Sequence, residues 1–321
     1  MSNYIKKVLL IGTGYMAKEY AKVIIKLVKK DNLTVIGRGA KNNKNFYNEF
    51  GIKPKNNLNE YLINKSNNYN YAIVAVGIEE LYDVCKILIK FKIKNILLEK
   101  PGALYLKQLV DLIRLQKKYK NRIHIAFNRR YYNSTIEAKK LIILDGGIKS
   151  FKFDFTERSH LISREKTSID VKRQWFMANS IHVIDLAFYL GGLPRKIINY
   201  SYDKVSWHRN GAIFTGSGIS KKNALFSYHA NWKTPGRWSL DFFTSNKHLI
   251  FKPLEELSFI NRKFKETKIN FKDKDDFLFK PGLYKMTNVF LKGTKTSLPS
   301  LKDHTLNIKK YYRFFLKNNT L

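Results

Sequence analysis

Val8-Leu9-Leu10-Ile11-Gly12-Thr13-Gly14-Tyr15-Met16-Ala17 is the segment that decides the fold. Residues 4–11 predict a strand, and its core, Val8 to Ile11, is wholly apolar, as burial on both faces requires. A helix is expected over residues 15–29, because Ala17, Tyr20, Ala21, Ile24 and Val28 recur on one face. Between strand and helix lies Gly-x-Gly-x-x-Ala, in the strand-turn-helix setting that gives this pattern its meaning. Gly12 permits the tight turn, Gly14 lets a pyrophosphate approach the backbone, and Ala17 keeps the helix close to the strand. Thr13, Tyr15 and Met16 complete the turn, where amides opening the helix meet phosphate charge. The segment predicts a dinucleotide site on the first strand of an α/β sheet.

The next strands carry the pattern outward. Residues 33–36 read as a second strand, ending in Gly37-Arg38-Gly39. An NAD site usually places Asp or Glu about 20 residues past the glycines to hold the ribose 2′-hydroxyl. No carboxylate ends this strand, and Arg38 suits a 2′-phosphate and the adenine face, which favours NADP(H) over NAD(H). Residues 71–76 predict a third strand, with Val76 and Gly77 bringing the chain past the cofactor. Ile96-Leu97-Leu98 predicts a fourth, followed at once by Glu99-Lys100-Pro101-Gly102. Ligands of open α/β sheets bind at this edge, so Glu99, Lys100 and Pro101 are candidates for the cofactor and the chemistry. Helices over 79–91 and 104–119 and a strand over 123–127 complete a doubly wound parallel sheet in residues 1–127.

From residue 128 the rhythm changes. A helix over 134–144 precedes a long alternating strand over 148–156, and a helix is expected over 181–190. Strands then dominate: 197–202, 212–219, 224–232, 238–244 and 248–251. Such runs imply an open, mostly antiparallel sheet with helices on one face, making residues 128–321 a second, α+β domain. An amphipathic helix over 303–316 is expected to pack back across the domain junction.

Bulk properties narrow the function. A chain of 321 residues can bury two cores, and 44% hydrophobic residues is a globular composition. No apolar run approaches the roughly 20 residues that span a bilayer, and no signal-peptide pattern opens the chain. The single cysteine, Cys85, excludes an internal disulfide framework and points to a reducing, cytoplasmic setting. The net charge of +35 is spread along the chain, without a nucleic-acid-binding motif or a dense basic arm. It is read as a solvated surface with a preference for anionic small molecules, with no nucleic acid and no membrane as partner. No set of metal ligands stands out.

The second dense segment runs from Arg173 through Trp175, Asn179, Ser180, His182 and Asp185 to Pro194. Asn179 or Ser180 is a natural N-cap and Gly191 a natural stop, which puts His182 in the first helical turn. The positive helix end disfavours an imidazolium, so His182 is expected neutral and able to accept a proton.

Gly12-x-Gly14-x-x-Ala17, Glu99-Lys100-Pro101, Phe127-Asn128-Arg129-Arg130 and His182 with Asp185, in this order, resemble the Gfo/Idh/MocA oxidoreductases. The resemblance covers nearly the whole chain. It implies a Rossmann domain followed by an α/β domain, bound NAD(P), and hydride transfer at a sugar or polyol carbon. It also implies that Lys100 contacts the nicotinamide and the reacting oxygen, and that subunits associate as a homodimer or homotetramer through the exposed sheet face. Many members carry an aspartate four residues before the histidine; here that position is Ala178. The Asn179-Ser180 variant, Trp232-x-x-Pro-Gly-Arg237-Trp238 and Pro253-Leu254-Glu255 resemble enzymes of surface-polysaccharide sugar pathways. The expected reaction has His182 handling the proton while Lys100 polarises the oxygen. Arg129, Arg130, Trp175, Asn179 and Arg237 are the expected substrate contacts, suited to a carboxylated or phosphate-linked sugar. A non-catalytic dinucleotide sensor on the same fold is the rival reading.

Overall fold

A computed structural model describes residues 6–65, 69–293, 298–312 and 315. The chain divides into two compact units, residues 1–128 with 274–305, and residues 129–273 with 306–321.

The first unit is built on five parallel strands: β1 (Val8–Ile11), β2 (Leu33–Ile36), β3 (Tyr71–Val74), β4 (Asn95–Glu99) and β5 (Arg122–Ala126). Their order is β2-β1-β3-β4-β5. Every β1 side chain is buried, as is Ile96-Leu97-Leu98 in β4, which is why these runs lack the alternation of a half-exposed strand. The helix Tyr15–Val28 buries Ala17, Tyr20, Ala21, Val23 and Ile24. Residues 4 and 5 of the expected first strand lie outside the described residues.

The sequence reading left residues 274–302 within the second domain; in the structure they belong to the first unit. The helix Leu283–Lys292 carries Leu283, Met286, Phe290 and Leu291 on its buried face and packs against the helix Tyr15–Val28. Phe290 meets the Tyr71 ring edge-on at 5.7 Å, and the Lys6 ammonium donates to the Leu291 carbonyl. The cause is apolar spacing at i, i+3, i+7 and i+8, a stripe that needs a partner face.

The second unit holds an eight-stranded sheet. Its strands are β6 (Ser150–Asp154), β7 (Pro194–Tyr202), β8 (Ile213–Ser220), β9 (Leu225–Asn231), β10 (Ser239–Phe243), β11 (Lys247–Phe251), β12 (Ser258–Asn261) and β13 (Glu266–Lys268). The order is β13-β12-β11-β10-β6-β9-β8-β7, antiparallel except where β6 lies parallel to β9. The last two strands at one edge, β12 and β13, were not expected from sequence; nor were the helices Ser159–Arg164 and Ile169–Arg173.

Phe151 and Phe153 of β6 point to one face, with Phe155 just beyond the strand, and anchor the core. Phe151 stacks on Phe226 at 5.2 Å and on Phe242 at 5.6 Å, and Phe153 stacks on Tyr228 at 5.5 Å. Phe188 from the helix Ile181–Gly191 meets Phe151 and Phe153 edge-on, an arrangement aromatic quadrupoles favour. Gly191 closes this helix against the Phe151 ring, where a Cβ would lie 2.5 Å from ring carbons. The opposite face stays open: Ile198, Tyr202 and Leu225 are more than half exposed.

The helix Leu301–Tyr311 is present, and the division between units falls within it, after Thr305. Residues 313, 314 and 316 of the expected tail helix lie outside the described residues.

Asp145 fastens the end of the helix Asn133–Leu144 to the β10–β11 turn. It accepts from Thr244 Oγ1 at 2.6 Å, from Asn246 N and Nδ2 at 3.2 Å, and from Lys247 Nζ at 3.2 Å. Burial would raise its carboxyl, but these donors outweigh it and hold the pKa down at about 2. Its contribution is present above the ordinary aspartate value of about 4 and is lost as pH falls through the folded value. Asp145→Asn should cost about 1–2 kcal/mol at pH 7 in urea titrations, with the difference from the parent protein shrinking as pH falls and vanishing only below the folded value.

Candidate functional site

The turn after β1 has a demanding geometry. Gly12 takes φ +123°, and a Cβ there would lie 2.2 Å from the Ala75 carbonyl oxygen. Only glycine lets the turn press against the end of β3 in this way. Ala17 lies beneath it, its Cβ 3.3 Å from the same imagined atom. Gly14 differs: its φ of −79° suits any residue, and nothing of the protein lies within 4 Å of an added Cβ. Gly77, at φ −57°, is equally open. Neither glycine is required by the protein's own packing, and both leave room beside the cleft they line. Gly14 caps the 14-residue helix Tyr15–Val28 without a side-chain hydrogen bond, leaving amides at its positive end for an anion.

Around this turn lies a cleft of about 900 Å³, lined by Gly12, Thr13, Gly14, Tyr15, Met16, Arg38, Val76 and Gly77 among others. These are eight of the residues predicted to hold the cofactor. The end of the cleft at β2 is more elaborate than the sequence suggested. Asn43 donates to the Gly37 carbonyl at 3.0 Å and accepts from Thr13 Oγ1 at 3.0 Å, pinning the β2 turn. The Arg38 guanidinium pairs with the Glu80 carboxylate, both side chains exposed. Asn43 and Glu80 carry no motif and were missed by the sequence reading.

At the end of β4, Glu99 accepts from the buried Tyr20 hydroxyl at 2.7 Å. Burial raises the Glu99 carboxyl above its usual range, and the Tyr20 bond, Lys100 and Lys280 offset only part of that rise. The same burial and the Glu99 charge push the Tyr20 phenol well up. Lys100-Pro101 is a cis peptide, and the Pro101 carbonyl accepts from buried His304 Nε2 at 2.9 Å. Gly102, at φ +85°, closes the turn with its amide on the Glu99 carbonyl. Lys280, another residue the sequence reading missed, stands 5.2 Å over the Tyr15 ring. Glu99, Lys100 and Pro101 are not among the residues lining the cleft around the β1 turn.

In the second unit, a cavity of about 310 Å³ is lined by Arg129, Trp175, Asn179 and Arg237, four of the five predicted substrate residues, together with Glu157, Arg158, Trp238 and Glu255. The fifth, Arg130, is not part of it. Its guanidinium forms a bidentate pair with Asp185, Nε–Oδ2 at 2.7 Å and Nη2–Oδ1 at 2.5 Å, with both side chains nearly buried. An arginine and an aspartate in so apolar a setting neutralise each other, and Arg130 is structural. Arg129 lies differently, its guanidinium 5.2 Å over the Trp238 ring.

His182 is buried, its ring 6.2 Å from that of Trp238. The expectation that it opens a helix needs correction. Phe176–Ser180 forms a π-helical turn leading into Ile181–Gly191, and Ser180 has helical angles with no capping bond. His182 thus follows helical residues, and the helix-end argument for its neutrality does not apply. Asn179 and Ser180 serve Glu157 instead. Asn179 Nδ2 donates to its two oxygens at 3.2 and 3.1 Å, and Ser180 Oγ to Oε1 at 2.7 Å. A carboxylate therefore stands beside the segment that lacks one at Ala178, supplied from beyond β6.

A glycine turn, an uncapped helix end and a cleft at the carboxyl edge of a parallel sheet define a NAD(P)-binding Rossmann domain. Residues 6–127 match the model of the Gfo/Idh/MocA oxidoreductase family, NAD-binding Rossmann fold. No curated protein matches the chain in sequence. Solved structures match over its length. An oxidoreductase of Desulfitobacterium hafniense, provisionally named as NADPH-dependent, is 16% identical with a TM-score of 0.78, covering 96% of this chain and 93% of that one. UDP-N-acetylglucosamine 3-dehydrogenase from Acidithiobacillus ferrooxidans is 13% identical, TM-score 0.71, covering 95% of each chain. An Agrobacterium radiobacter oxidoreductase, solved with NAD+, L-tartaric acid and magnesium, is 15% identical, TM-score 0.73, covering 94% and 93%. At these identities the likeness is one of fold.

The two kinds of glycine separate folding from binding. Gly12→Ala should lower the melting temperature markedly. Gly14→Ala should leave melting unchanged but raise the Kd for NADPH about tenfold or more, read by quenching of intrinsic fluorescence.

Proposed function

We propose that the protein is a cytoplasmic NAD(P)-dependent oxidoreductase acting on a sugar or sugar derivative, in the synthesis of surface polysaccharide. The observation that carries this is the open space at Gly14 and Gly77 in a family-matched cleft, which has no use to the protein unless a dinucleotide fills it. The nicotinamide, when bound, supplies or accepts the hydride. The chain's own residues do the rest. The helix end at Gly14 holds the pyrophosphate. The Lys100 ammonium polarises the reacting oxygen, and the His182 imidazole takes or returns its proton. Trp175, Asn179, Arg129 and Arg237 hold the sugar. The mixed polar and aromatic lining of their cavity suits hydroxyl-rich rings. The neighbour from Acidithiobacillus ferrooxidans is named for a sugar substrate, which supports the same class.

NADP(H) is the preferred cofactor in this reading. β2 ends without a carboxylate, and Arg38 stands on the cleft wall with its side chain 72% exposed. The Arg38–Glu80 pair is a surface pair worth little, so a 2′-phosphate can compete for the guanidinium. The open face of the eight-stranded sheet, with Ile198, Tyr202 and Leu225 exposed, supports association into a homodimer or homotetramer.

The test is turnover across a panel of sugars and nucleotide sugars with each cofactor. Lys100→Met and His182→Ala should each lower kcat about 100-fold or more while leaving the Kd for NADPH within a factor of about two. Full activity in Lys100→Met removes the mechanism; NADPH binding with no turnover on any sugar makes the protein a dinucleotide sensor. Glu80→Gln should lower the KM for NADPH, by freeing Arg38, and leave that for NADH unchanged. Arg38→Ala should reverse the preference.

A further inference from the structure

The second unit contains another cavity, of about 680 Å³, that shares Arg158, Leu161 and Gly236 with the smaller one. The two differ in charge. The smaller is formally balanced, with Arg129, Arg158 and Arg237 against Glu157, Glu165 and Glu255. The larger has Arg158, Lys204, Lys233 and His160 on its wall and no carboxylate among its lining residues. Lys233 pairs with Asp203 at 2.5 Å, an exposed contact of little worth. Neither Arg158 nor Lys204 has an ion pair among the described residues.

The same lining includes apolar residues, Val205, Trp207, Trp232 and Pro235. Trp207 and Trp232 stack at 5.5 Å, 14° from parallel. Trp232 Nε1 donates to the Phe155 carbonyl at 3.3 Å. Trp207, only 3% exposed, has no acceptor for Nε1 among the described residues. Trp175 lines the smaller cavity, meets Trp207 edge-on at 5.9 Å, and also has an unmet Nε1. A buried N–H without an acceptor costs folding free energy, and a native protein keeps few of them. Here two neighbouring indoles, one in the lining of each cavity, stand beside a cluster of cations of which only Lys233 has an ion pair among the described residues.

We infer that the larger cavity binds the nucleoside diphosphate half of a sugar nucleotide whose sugar occupies the smaller cavity. The cations meet the diphosphate, and the apolar part of the lining takes the nucleoside. The volumes agree: the smaller is at the low end for ligand sites, enough for one ring, and the larger has room for the remainder. The inference rests on the reading of this unit as the substrate domain and narrows its substrate class.

Calorimetry on the full chain tests it, with UDP, UMP and uridine as probes and saturating NADPH to fill the dinucleotide cleft. UDP should bind tightest and uridine weakest, with the UDP affinity falling as salt rises. Lys204→Glu should weaken UDP about tenfold, while the charge-matched control Lys107→Glu, in the first unit and outside the lining of all three cavities described, leaves it unchanged, and NADPH affinity should hold in both. UDP binding no tighter than uridine, or unaffected by Lys204→Glu, overturns the inference. Turnover of unphosphorylated sugars without UDP binding would overturn it too, yet leave the oxidoreductase reading intact. UDP binding with no turnover of any sugar does the reverse.

Discussion

The Ala75 carbonyl oxygen comes so near the Gly12 Cα that no side chain fits between them, and the first unit depends on that approach. It draws the β1 turn against the end of β3, so the helix Tyr15–Val28 starts beside the strand ends. Ala17 permits the same closeness one turn later. The cleft, the open Gly14 and Gly77, and the uncapped helix end are consequences of this placement. A bulkier residue at Gly12 would move all of them together.

In the second unit the comparable constraint is the aromatic row along β6. Phe151, Phe153 and Phe155 fix its register against β9 and β10 and seat the helix Ile181–Gly191 on the sheet. Where that row ends, Thr156, Glu157 and Arg158 emerge in succession and line the smaller cavity. Core packing thereby sets the position of the Glu157 carboxylate, and Glu157 in turn orients Asn179: with the amide nitrogen held by the carboxylate, Asn179 Oδ1 remains as an acceptor. The buried Arg130–Asp185 pair steadies the same helix from within the unit.

Much of this was legible because it is local. The glycine turn, the alternating α/β rhythm, the Glu-Lys-Pro segment and the phenylalanines of β6 are patterns of adjacent residues, and each folds as its pattern dictates. Arg130 was misread because a sequence cannot tell a guanidinium facing a cavity from one neutralised by an aspartate 55 residues away. Glu157 was missed for the same reason: it meets Asn179 across 22 residues, with no motif to announce it. The helix Leu283–Lys292 had a readable apolar stripe, but which unit it completes is decided by a face elsewhere in the chain. His182 was placed correctly on its helix and wrongly at the helix's start, because the π-turn before it has no spacing rule that separates it from a cap.

The polypeptide passes from one unit to the other three times, after residues 128, 273 and 305. Neither unit is therefore a continuous stretch of the gene. A fragment stopping at Phe127 would contain all five parallel strands and the entire nucleotide turn, but its first helix would have lost the flank that Leu283, Met286 and Phe290 shield. Such a piece would be sticky rather than soluble. Ribosomal synthesis faces the same difficulty: the Rossmann portion emerges first, yet its last wall leaves the ribosome only after the eight-stranded sheet has been made.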